Sequence, residues 1–273
     1  MSLSAAIERH GGTEQRSRAG FTAEGEITNS LAGRTALITG SSRGIGAAMA
    51  RAFAKAGARV AVHCAGRLDA AQAIAAETGG CAVQADLSAA DGPQRCWDGA
   101  TAGLGRVDIL VCNASIQLPG PWLEASGADF ERQIQVNLRA TWELLRLAAP
   151  PMCERRWGRI LTIGSVQEAK PNPAMLVYAA SKNAQTAMAL GLAKQLAPQG
   201  VTVNNLAPGV IDTDRTRERI VDEAYRQKVM TWIPAGRIGE PEDCVGPALL
   251  LCSDAGAYIT GQNLFVDGGM SLP

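Results

Sequence analysis

Short apolar runs alternate with longer amphipathic stretches along most of this chain. The runs lie at residues 35–39, 59–63, 82–85, 107–111, 159–163, 201–205 and 263–266. They are apolar throughout rather than at every second position, which is typical of strands that are buried on both faces. Because helical stretches separate them, the pattern predicts an α/β fold. We expect a single Rossmann-type, doubly wound domain with a mainly parallel sheet and helices on both faces.

No linker or internal repeat divides the chain after residue 30, so residues 31–273 are predicted to form one domain. The preceding residues, 1–30, are polar and mixed in charge, and they lack the apolar segment of a secretory signal. They are predicted to be an N-terminal extension. Two interpretations fit it: a flexible tail, or an arm that packs on a neighbouring subunit.

The charge balance excludes several classes of partner. Lys+Arg and Asp+Glu number 26 each, and no basic stripe indicates a nucleic acid or an anionic membrane. No uncharged apolar run approaches the roughly 20 residues of a membrane-spanning helix. The seven cysteines form no C-x-x-C pair, and the two histidines lack metal-ligand spacing. We therefore expect a cytoplasmic protein without a metal, whose partners are small molecules or proteins.

A glycine-rich turn follows the first predicted strand. Gly40, Gly44 and Gly46 have the spacing G-x-x-x-G-x-G, and Ser42, Arg43 and Ile45 lie between them. Glycines allow the backbone to approach a phosphate closely, and the N-terminus of the following helix offers unpaired N–H groups. Such a triplet alone is weak evidence, but its position at the carboxyl end of a strand favours a nucleotide pyrophosphate site.

The end of the second strand indicates which dinucleotide is bound. An NAD site requires an acidic residue there for the ribose 2′-hydroxyl, whereas residues 63–67 contain none. Arg43 and Arg67 are placed to face a 2′-phosphate, for which a guanidinium group is well suited. The alternative is that both are ordinary solvated arginines. The missing acid favours NADP(H) as the cofactor.

Polar residues also follow the third and fourth strands. Asp86, followed by Leu87, is a candidate acceptor for the adenine amino group, although a helix cap is an equally simple interpretation. Asn113, followed by Ala114, is a candidate for fixing the backbone around the cofactor, or it stabilises a turn. The sequence leaves both pairs of alternatives open.

A second group of residues is suited to proton transfer. Tyr178 and Lys182 are four residues apart, so on a helix their side chains share one face. An adjacent ammonium group lowers the pKa of a phenol toward the range of a useful acid or base. Ser165 follows a strand, where its hydroxyl is placed to polarise a carbonyl group. Asn137 is polar in an apolar helical stretch and is a candidate for holding a water near the lysine.

Taken together, these motifs strongly resemble the short-chain dehydrogenase/reductase family. The residues that match are Thr39-Gly40-x-x-x-Gly44-x-Gly46, Asn113-Ala114, the set Asn137, Ser165, Tyr178 and Lys182, and Pro208-Gly209. The resemblance extends over about residues 31–270. It implies that Pro208 and Gly209, with Ile211 and Thr213 after them, lie near the nicotinamide.

The resemblance also implies a role for each member of the tetrad. Tyr178 acts as general acid/base and Ser165 orients the carbonyl; Lys182 binds the ribose and lowers the tyrosine pKa, and Asn137 supports a water that relays protons. It implies a homotetramer or a dimer, with the cofactor also contacted by Tyr178 and Lys182. One departure is Ser115, since the family often has glycine at this position.

The substrate is left open by the sequence. Residues 163–166 and Arg43 resemble 3-oxoacyl-acyl-carrier-protein reductases, which implies acyl carrier protein as a partner, but sugar-alcohol and gluconate-type dehydrogenases share the scaffold. A non-catalytic nucleotide sensor is the alternative from another class. We expect specificity to lie in the loops 115–122, 167–177 and 210–232. The polar candidates in and beside these loops are Gln117, Gln167 and Glu168, and the apolar candidates are Trp122, Met175, Trp232 and Ile233. A basic group consists of Arg215, Arg217, Arg219 and Lys228. This group is a candidate for attracting an acidic carrier or a phosphate, and a solvated helix face is the alternative.

Overall fold

Seven strands form one continuous sheet in the computed structural model, which describes residues 29–273. The predicted N-terminal extension lies outside the described residues, apart from its last two. The strands are β1 Thr35–Ile38, β2 Arg59–Cys64, β3 Cys81–Gln84, β4 Ile109–Cys112, β5 Gly158–Ile163, β6 Val201–Pro208 and β7 Asn263–Val266. Their order is β3-β2-β1-β4-β5-β6-β7, and every neighbouring pair is parallel.

Helices cover both faces of this sheet. They are α1 Gly44–Lys55, α2 Leu68–Thr78, α3 Gly92–Leu104, α4 Gly127–Ile134, α5 Ala140–Glu154, α6 Leu176–Leu196, α7 Arg217–Ile220, α8 Glu223–Met230 and α9 Val245–Cys252. None of the helices in residues 29–273 is long and apolar enough to cross a membrane. The predicted α/β doubly wound fold is confirmed.

Alternate side chains of each strand supply two separate cores. Ile38 of β1 belongs to the core that contains Phe53 of α1. Its neighbour Leu37 points the other way, into the core that contains Leu144 of α5. All of these side chains are nearly inaccessible to solvent, so consecutive positions of the strand are apolar, as the sequence pattern indicated.

Strand order reverses between β1 and β4, and this reversal positions the site. The chain proceeds from β1 outward to β2 and β3, then crosses back to β4 on the other side of β1. The connections after β1 and β4 therefore lead to opposite faces, which leaves a crevice at the carboxyl ends of these strands. Ligands of doubly wound sheets bind in such a crevice.

One strand is longer than the sequence pattern indicated. β6 continues beyond residue 205 to Pro208, because its last four residues pair with β7. Proline is tolerated at this end because pairing with β5 stops at Leu206, two residues earlier. The extension carries Pro208 and the following Gly209 to the same edge of the sheet as the glycine turn.

Candidate active site

The glycine turn after β1 packs directly on the chain that follows β4. Gly40 has a φ of +64°, and a Cβ there would lie 2.9 Å from the Cα of Ala114. A Cβ on Gly46 would lie 2.6 Å from the side-chain amide nitrogen of Asn113. Gly44 also has a positive φ, of +55°. The turn therefore requires glycine for its own geometry as well as for any approach of a ligand.

Asn113 holds this turn in place. Its Nδ2 donates to the carbonyl oxygens of Thr39 at 2.8 Å and of Gly40 at 3.1 Å. In return, the Thr39 hydroxyl accepts from the backbone nitrogens of Asn113 and Ala114, both at 3.0 Å. The two alternatives for Asn113 are thus one arrangement, in which the side chain stabilises a turn and thereby fixes the backbone of the nucleotide end.

His63, at the end of β2, ties the same turn to the neighbouring strands. The backbone nitrogen of Gly40 donates to His63 Nδ1, and His63 Nε2 donates to the Ala85 carbonyl, each at 2.9 Å. Burial lowers the pKa of His63 to about 4, so the ring is neutral at pH 7. The spacing of the two histidines excluded a metal site, and no other role was predicted for His63. Its position at a strand end facing the glycine turn was the signal that it bonds the turn.

The residues of the nucleotide end fit a dinucleotide. Within the described part of the chain, no side chain caps the N-terminus of α1, and its first turn carries no acidic residue. The first N–H groups of the helix are therefore available to a phosphate. Gly40 and Gly46 leave no room for a side chain, and Arg43 directly precedes the helix.

Arg43 and Arg67 converge on a single anion, as a 2′-phosphate site would require. Both guanidinium groups reach the Asp214 carboxylate, with Nη1 to Oδ2 distances of 3.6 and 3.3 Å. Arg217 lies 3.8 Å from the other oxygen of this carboxylate. Both arginine side chains are more than half exposed, and Asp214 from the loop after β6 takes the place that the sequence assigned to a phosphate. The 2′-phosphate role of the two arginines stays a prediction.

Asp86 lies in a short turn rather than at the start of a helix. Its Oδ1 accepts from the backbone nitrogen of Ser88 at 2.9 Å and from the Ser88 hydroxyl at 2.7 Å. These bonds lower the pKa of the Asp86 carboxyl. Helix α3 begins six residues later, at Gly92, so the helix-cap interpretation was wrong. Asp86 lines the cleft, with Leu87 beside it.

Tyr178 occupies the reacting end of the cleft, in the first turn of α6. The side chain is 7% exposed, and burial raises the pKa of the phenol. The Arg215 guanidinium and the neighbouring Ser165 hydroxyl act in the opposite direction. Ser165 follows β5 and is itself buried. The strand end and the helix thus bring a hydroxyl and a phenol together, as the sequence predicted for these two residues.

Lys182 lies one helical turn beyond Tyr178 and is almost completely buried. Its Nζ donates to the Ile163 carbonyl at 2.6 Å and to Gln185 Oε1 at 3.1 Å, and it lies 5.8 Å from the centre of the Tyr178 ring. Burial, followed by the charge of Arg215, lowers the pKa of Lys182 to about 7. The Arg215 guanidinium also lowers the pKa of the Tyr178 phenol. The predicted effect of Lys182 on the tyrosine stays a prediction.

Asn137 lies behind the cleft, in one turn of π-helix that joins α4 to α5 at Gln135–Arg139. Its side chain accepts from the backbone nitrogen of Ile116 at 2.8 Å and donates to the Ile116 carbonyl at 2.9 Å. It also donates to Ser181 Oγ at 3.1 Å. The amide is thus satisfied by the protein itself, and it fixes the loop after β4 against α6. Its predicted relay role stays a prediction.

One cleft of about 700 Å³ brings together most of the predicted site residues. Those that line it are Gly40, Ser42, Arg43, Gly44, Ile45, Arg67, Asp86, Leu87, Asn113, Ala114, Ser165, Tyr178, Lys182, Pro208, Gly209, Ile211 and Thr213. Gly46 and Asn137 are not among the lining residues, because each packs against the chain that forms the wall. The nucleotide end and the proton-transfer group therefore share one continuous space.

Some of the candidate specificity residues line the cleft and others do not. Gln117, Gln167 and Met175 line the cleft, and the Gln117 amide contacts the Met175 sulfur. Glu168 does not, since its carboxylate accepts from the Ser165 backbone nitrogen at 2.9 Å. Asn263 of β7 donates to the same carboxylate, so Glu168 stabilises the end of the sheet.

The predicted apolar wall is largely absent from the cleft. Trp122 is 65% exposed, and Ile233 is buried in a small separate core with Val229 and Met270. Neither Ile233 nor Trp232 is among the residues that line the cleft. Of the apolar candidates, Met175 alone contributes to the wall.

Arg215, for which a solvated helix face was the favoured interpretation, lines the cleft instead. It precedes α7 rather than lying on that helix, and its side chain crosses the cleft. Nη2 donates to the Ser115 carbonyl at 2.6 Å and to the Ser115 hydroxyl at 3.1 Å. The alternation of charges around it resembles a solvated helix face, and only the path of the loop reveals the contact.

Comparison with known proteins agrees with this architecture. A family model described as enoyl-(acyl carrier protein) reductase matches residues 40–271. The 3β-hydroxysteroid dehydrogenase 1 of Eggerthella lenta is 39% identical, with 89% of this chain and 95% of that protein covered.

Two solved structures are similar over nearly the whole fold. An Agrobacterium tumefaciens C58 3-oxoacyl-(acyl-carrier-protein) reductase with NADP bound is 40% identical, with a TM-score of 0.82 over 88% of this chain and 95% of that one. A Burkholderia cenocepacia gluconate 5-dehydrogenase in complex with NADP and tartrate is 34% identical, with a TM-score of 0.83 over 90% and 98%. With its motifs, fold and sequence in agreement, the chain belongs to the short-chain dehydrogenase/reductase family of NAD(P)-using oxidoreductases.

Proposed function

We propose that this protein is an NADP(H)-dependent oxidoreductase that interconverts a carbonyl group and a secondary alcohol, with Tyr178 as general acid/base. One observation carries the proposal: Tyr178, Ser165 and Lys182 line the same cleft as the glycine turn. A nucleotide sensor needs the turn but has no use for a buried phenol with a hydroxyl beside it. The arrangement therefore favours an enzyme.

The residues divide the work of the reaction between them. A bound nicotinamide supplies the hydride to the carbonyl carbon, or accepts it in the reverse direction. Ser165 donates a hydrogen bond that orients the carbonyl oxygen, and Tyr178 gives its proton to that oxygen as the alcohol forms. In oxidation Tyr178 takes the proton back. Lys182 is placed to hold the ribose, and Arg215 keeps the phenol pKa from rising further with burial.

Two observations support NADP(H) over NAD(H). The guanidinium groups of Arg43 and Arg67 converge on one carboxylate oxygen, so they are placed to hold one phosphate together once Asp214 moves aside. Residues 63–67, at the end of β2, contain no carboxylate for a ribose 2′-hydroxyl. The NADP-bound 3-oxoacyl reductase and gluconate 5-dehydrogenase structures add to this support.

The first substrate to test is a 3-oxoacyl thioester, because curated relatives include 3-oxoacyl-[acyl-carrier-protein] reductases. The measurement is the initial rate of NADPH oxidation with acetoacetyl thioester. Saturating turnover supports a 3-oxoacyl reductase, which would act with acyl carrier protein. Absence of turnover, in a sample shown to bind NADPH, moves the proposal to polyols and sugar acids, the substrate class of gluconate-type dehydrogenases.

The Tyr178→Phe substitution tests the mechanism with whichever substrate is turned over. We expect turnover to fall by roughly 10²- to 10⁴-fold, because the proton donor is lost while the ring still packs in the same place. NADPH affinity, measured by fluorescence titration, should change less than about twofold. Unchanged turnover would exclude Tyr178 as the acid, and an equal loss of NADPH binding would indicate a structural role.

We further infer that the protein acts in the cytoplasm as a homotetramer. Free thiols at all seven cysteines suit a reducing compartment. Phe130 of α4 and Trp142 of α5 are about half exposed in the single chain, which suits a contact between subunits. Light scattering of the purified protein gives the oligomeric state, and a monomer at micromolar concentration would contradict the inference.

A further inference from the structure

We propose that Arg215 binds a carboxylate of the substrate, so that the reaction catalysed is the interconversion of an oxo acid and a hydroxy acid. This inference rests on the proposed oxidoreductase function and names its substrate class. Arg215 would be a specificity-determining residue, and Ser115 would be the residue that positions it.

The place of the Arg215 side chain is the first support. It lines the cleft together with Tyr178 and Ser165, the two groups assigned to the carbonyl oxygen. The Ser115 carbonyl and hydroxyl hold one guanidinium nitrogen at 2.6 and 3.1 Å. A planar guanidinium group fixed at one end still presents further N–H donors, and a carboxylate is the planar anion that matches them.

The charges around Arg215 are the second support. The neighbouring carboxylates are engaged elsewhere: Asp212 pairs with Arg217, and Asp214 pairs with Arg43 and Arg67. Within residues 29–273, Arg215 therefore has no carboxylate partner.

Other residues that line the cleft are also positively charged. Arg132 and Arg219 also line it, and neither forms an ion pair within the part of the chain that the structure describes. The acidic residues that line the cleft are Asp86, Asp214 and Glu218, against six basic ones, Arg43, Arg67, Arg132, Lys182, Arg215 and Arg219. This excess of positive charge in the cleft favours an anionic substrate over a neutral one.

A matched pair of ketones tests the proposal. 5-Keto-D-gluconate and L-sorbose carry the same ketone and neighbouring hydroxyls, and they differ only in a terminal carboxylate against a hydroxymethyl group. Acetoacetate and its ethyl ester form a second pair with a shorter spacing. For wild-type enzyme with NADPH, we expect kcat/KM to favour one of the acids over its neutral partner by about 10- to 100-fold, the range of one charge-assisted hydrogen bond.

The Arg215→Met variant should abolish this preference, bringing the ratio of kcat/KM for the acid and its neutral partner to about one. Loss of the Arg215 charge beside Tyr178 affects both members of a pair alike, so this ratio isolates the contact with the carboxylate. Arg215→Lys should restore part of the preference. The matched control is Arg217→Met, which removes a guanidinium group from the same loop but from outside the cleft; the preference should remain. Loss of activity on both members of a pair to the same extent would overturn the proposal and leave Arg215 as a residue that tunes Tyr178.

Binding provides a second measurement that does not depend on turnover. Calorimetric titration of tartrate into the NADP⁺-loaded protein should give a heat of binding for wild type and for Arg217→Met, with affinity at least about tenfold weaker for Arg215→Met. Equal affinity in all three proteins would contradict the proposal. If tartrate binds through Arg215 but no ketone or thioester is reduced, the oxidoreductase function fails and the anion site stands.

Discussion

The two ends of the cleft are built in different ways. At the nucleotide end, the glycine turn is held by backbone and side-chain bonds from β2 and β4, through His63 and Asn113. At the substrate end, side chains of a loop after β6 reach across the space to Ser115. The cofactor half is thus specified by strand ends in fixed register, whereas the substrate half depends on where one loop lies.

The largest effect that separates the two ends should come from titrating His63. Its pKa is about 4 in the folded protein against 6.5 as a free side chain, so the unfolded state binds more protons between these values. Stability is therefore complete above pH 6.5 and is lost as the pH falls through 4. The total contribution is about 3 kcal/mol. Chemical denaturation at a series of pH values measures it.

The wild-type protein is the reference for this experiment. The slope of the free energy of unfolding against pH between 4 and 6.5 should be smaller in His63→Gln than in wild type. The carboxylates that titrate in this range are common to both proteins, so their contribution cancels. An unchanged slope of stability against pH in His63→Gln would show that the neutral His63 ring does not stabilise the glycine turn.

A smaller effect should follow from removing the arginines at the adenosine side. We expect the double substitution of Arg43 and Arg67 by Met to weaken NADPH binding by about 10- to 100-fold, because charge-assisted hydrogen bonds to phosphate are lost. NADH binding should change by less than about threefold. Fluorescence titration with both cofactors gives the ratio. The control is Arg51→Met, which removes a surface arginine of α1 that pairs with Glu77 of α2.

The smallest effect, and the one that joins the two ends, concerns Asp214. A phosphate that binds between Arg43 and Arg67 must displace this carboxylate. Asp214→Asn should therefore tighten NADPH binding by roughly threefold, since the competing ion pairs are exposed and worth little. NADH affinity should not improve. Weaker NADPH binding in this variant would mean that Asp214 supports the cofactor rather than competing with it.

The sequence predicted the parts of the molecule that depend on local pattern. Continuous apolar runs identified the strands, and the glycine spacing located the turn, because each is set by residues close in the chain. Ser165 and Tyr178 line the same cleft, since one follows a strand and the other lies in the first turn of the next long helix.

The features that were missed depend on contacts between distant segments. Arg215 reaches a residue 100 positions earlier, and no periodicity records such a contact. Glu168 is a polar residue in a predicted specificity loop, but its carboxylate accepts a hydrogen bond from Asn263 of β7. The Asn137 side chain forms hydrogen bonds with the backbone of Ile116. These bonds use the amide groups that were expected to hold a water, and the sequence does not reveal them.

Asp214 and Arg215 are consecutive residues whose side chains serve opposite ends of the cleft. A shift of the backbone that moves one side chain also moves the other, so the free energies of cofactor and substrate binding are not independent quantities. By thermodynamic linkage, the factor by which a bound 2′-phosphate changes substrate affinity equals the factor by which bound substrate changes the affinity for the 2′-phosphate. Fragments that fill either end alone would therefore report only part of the affinity of a molecule that spans both.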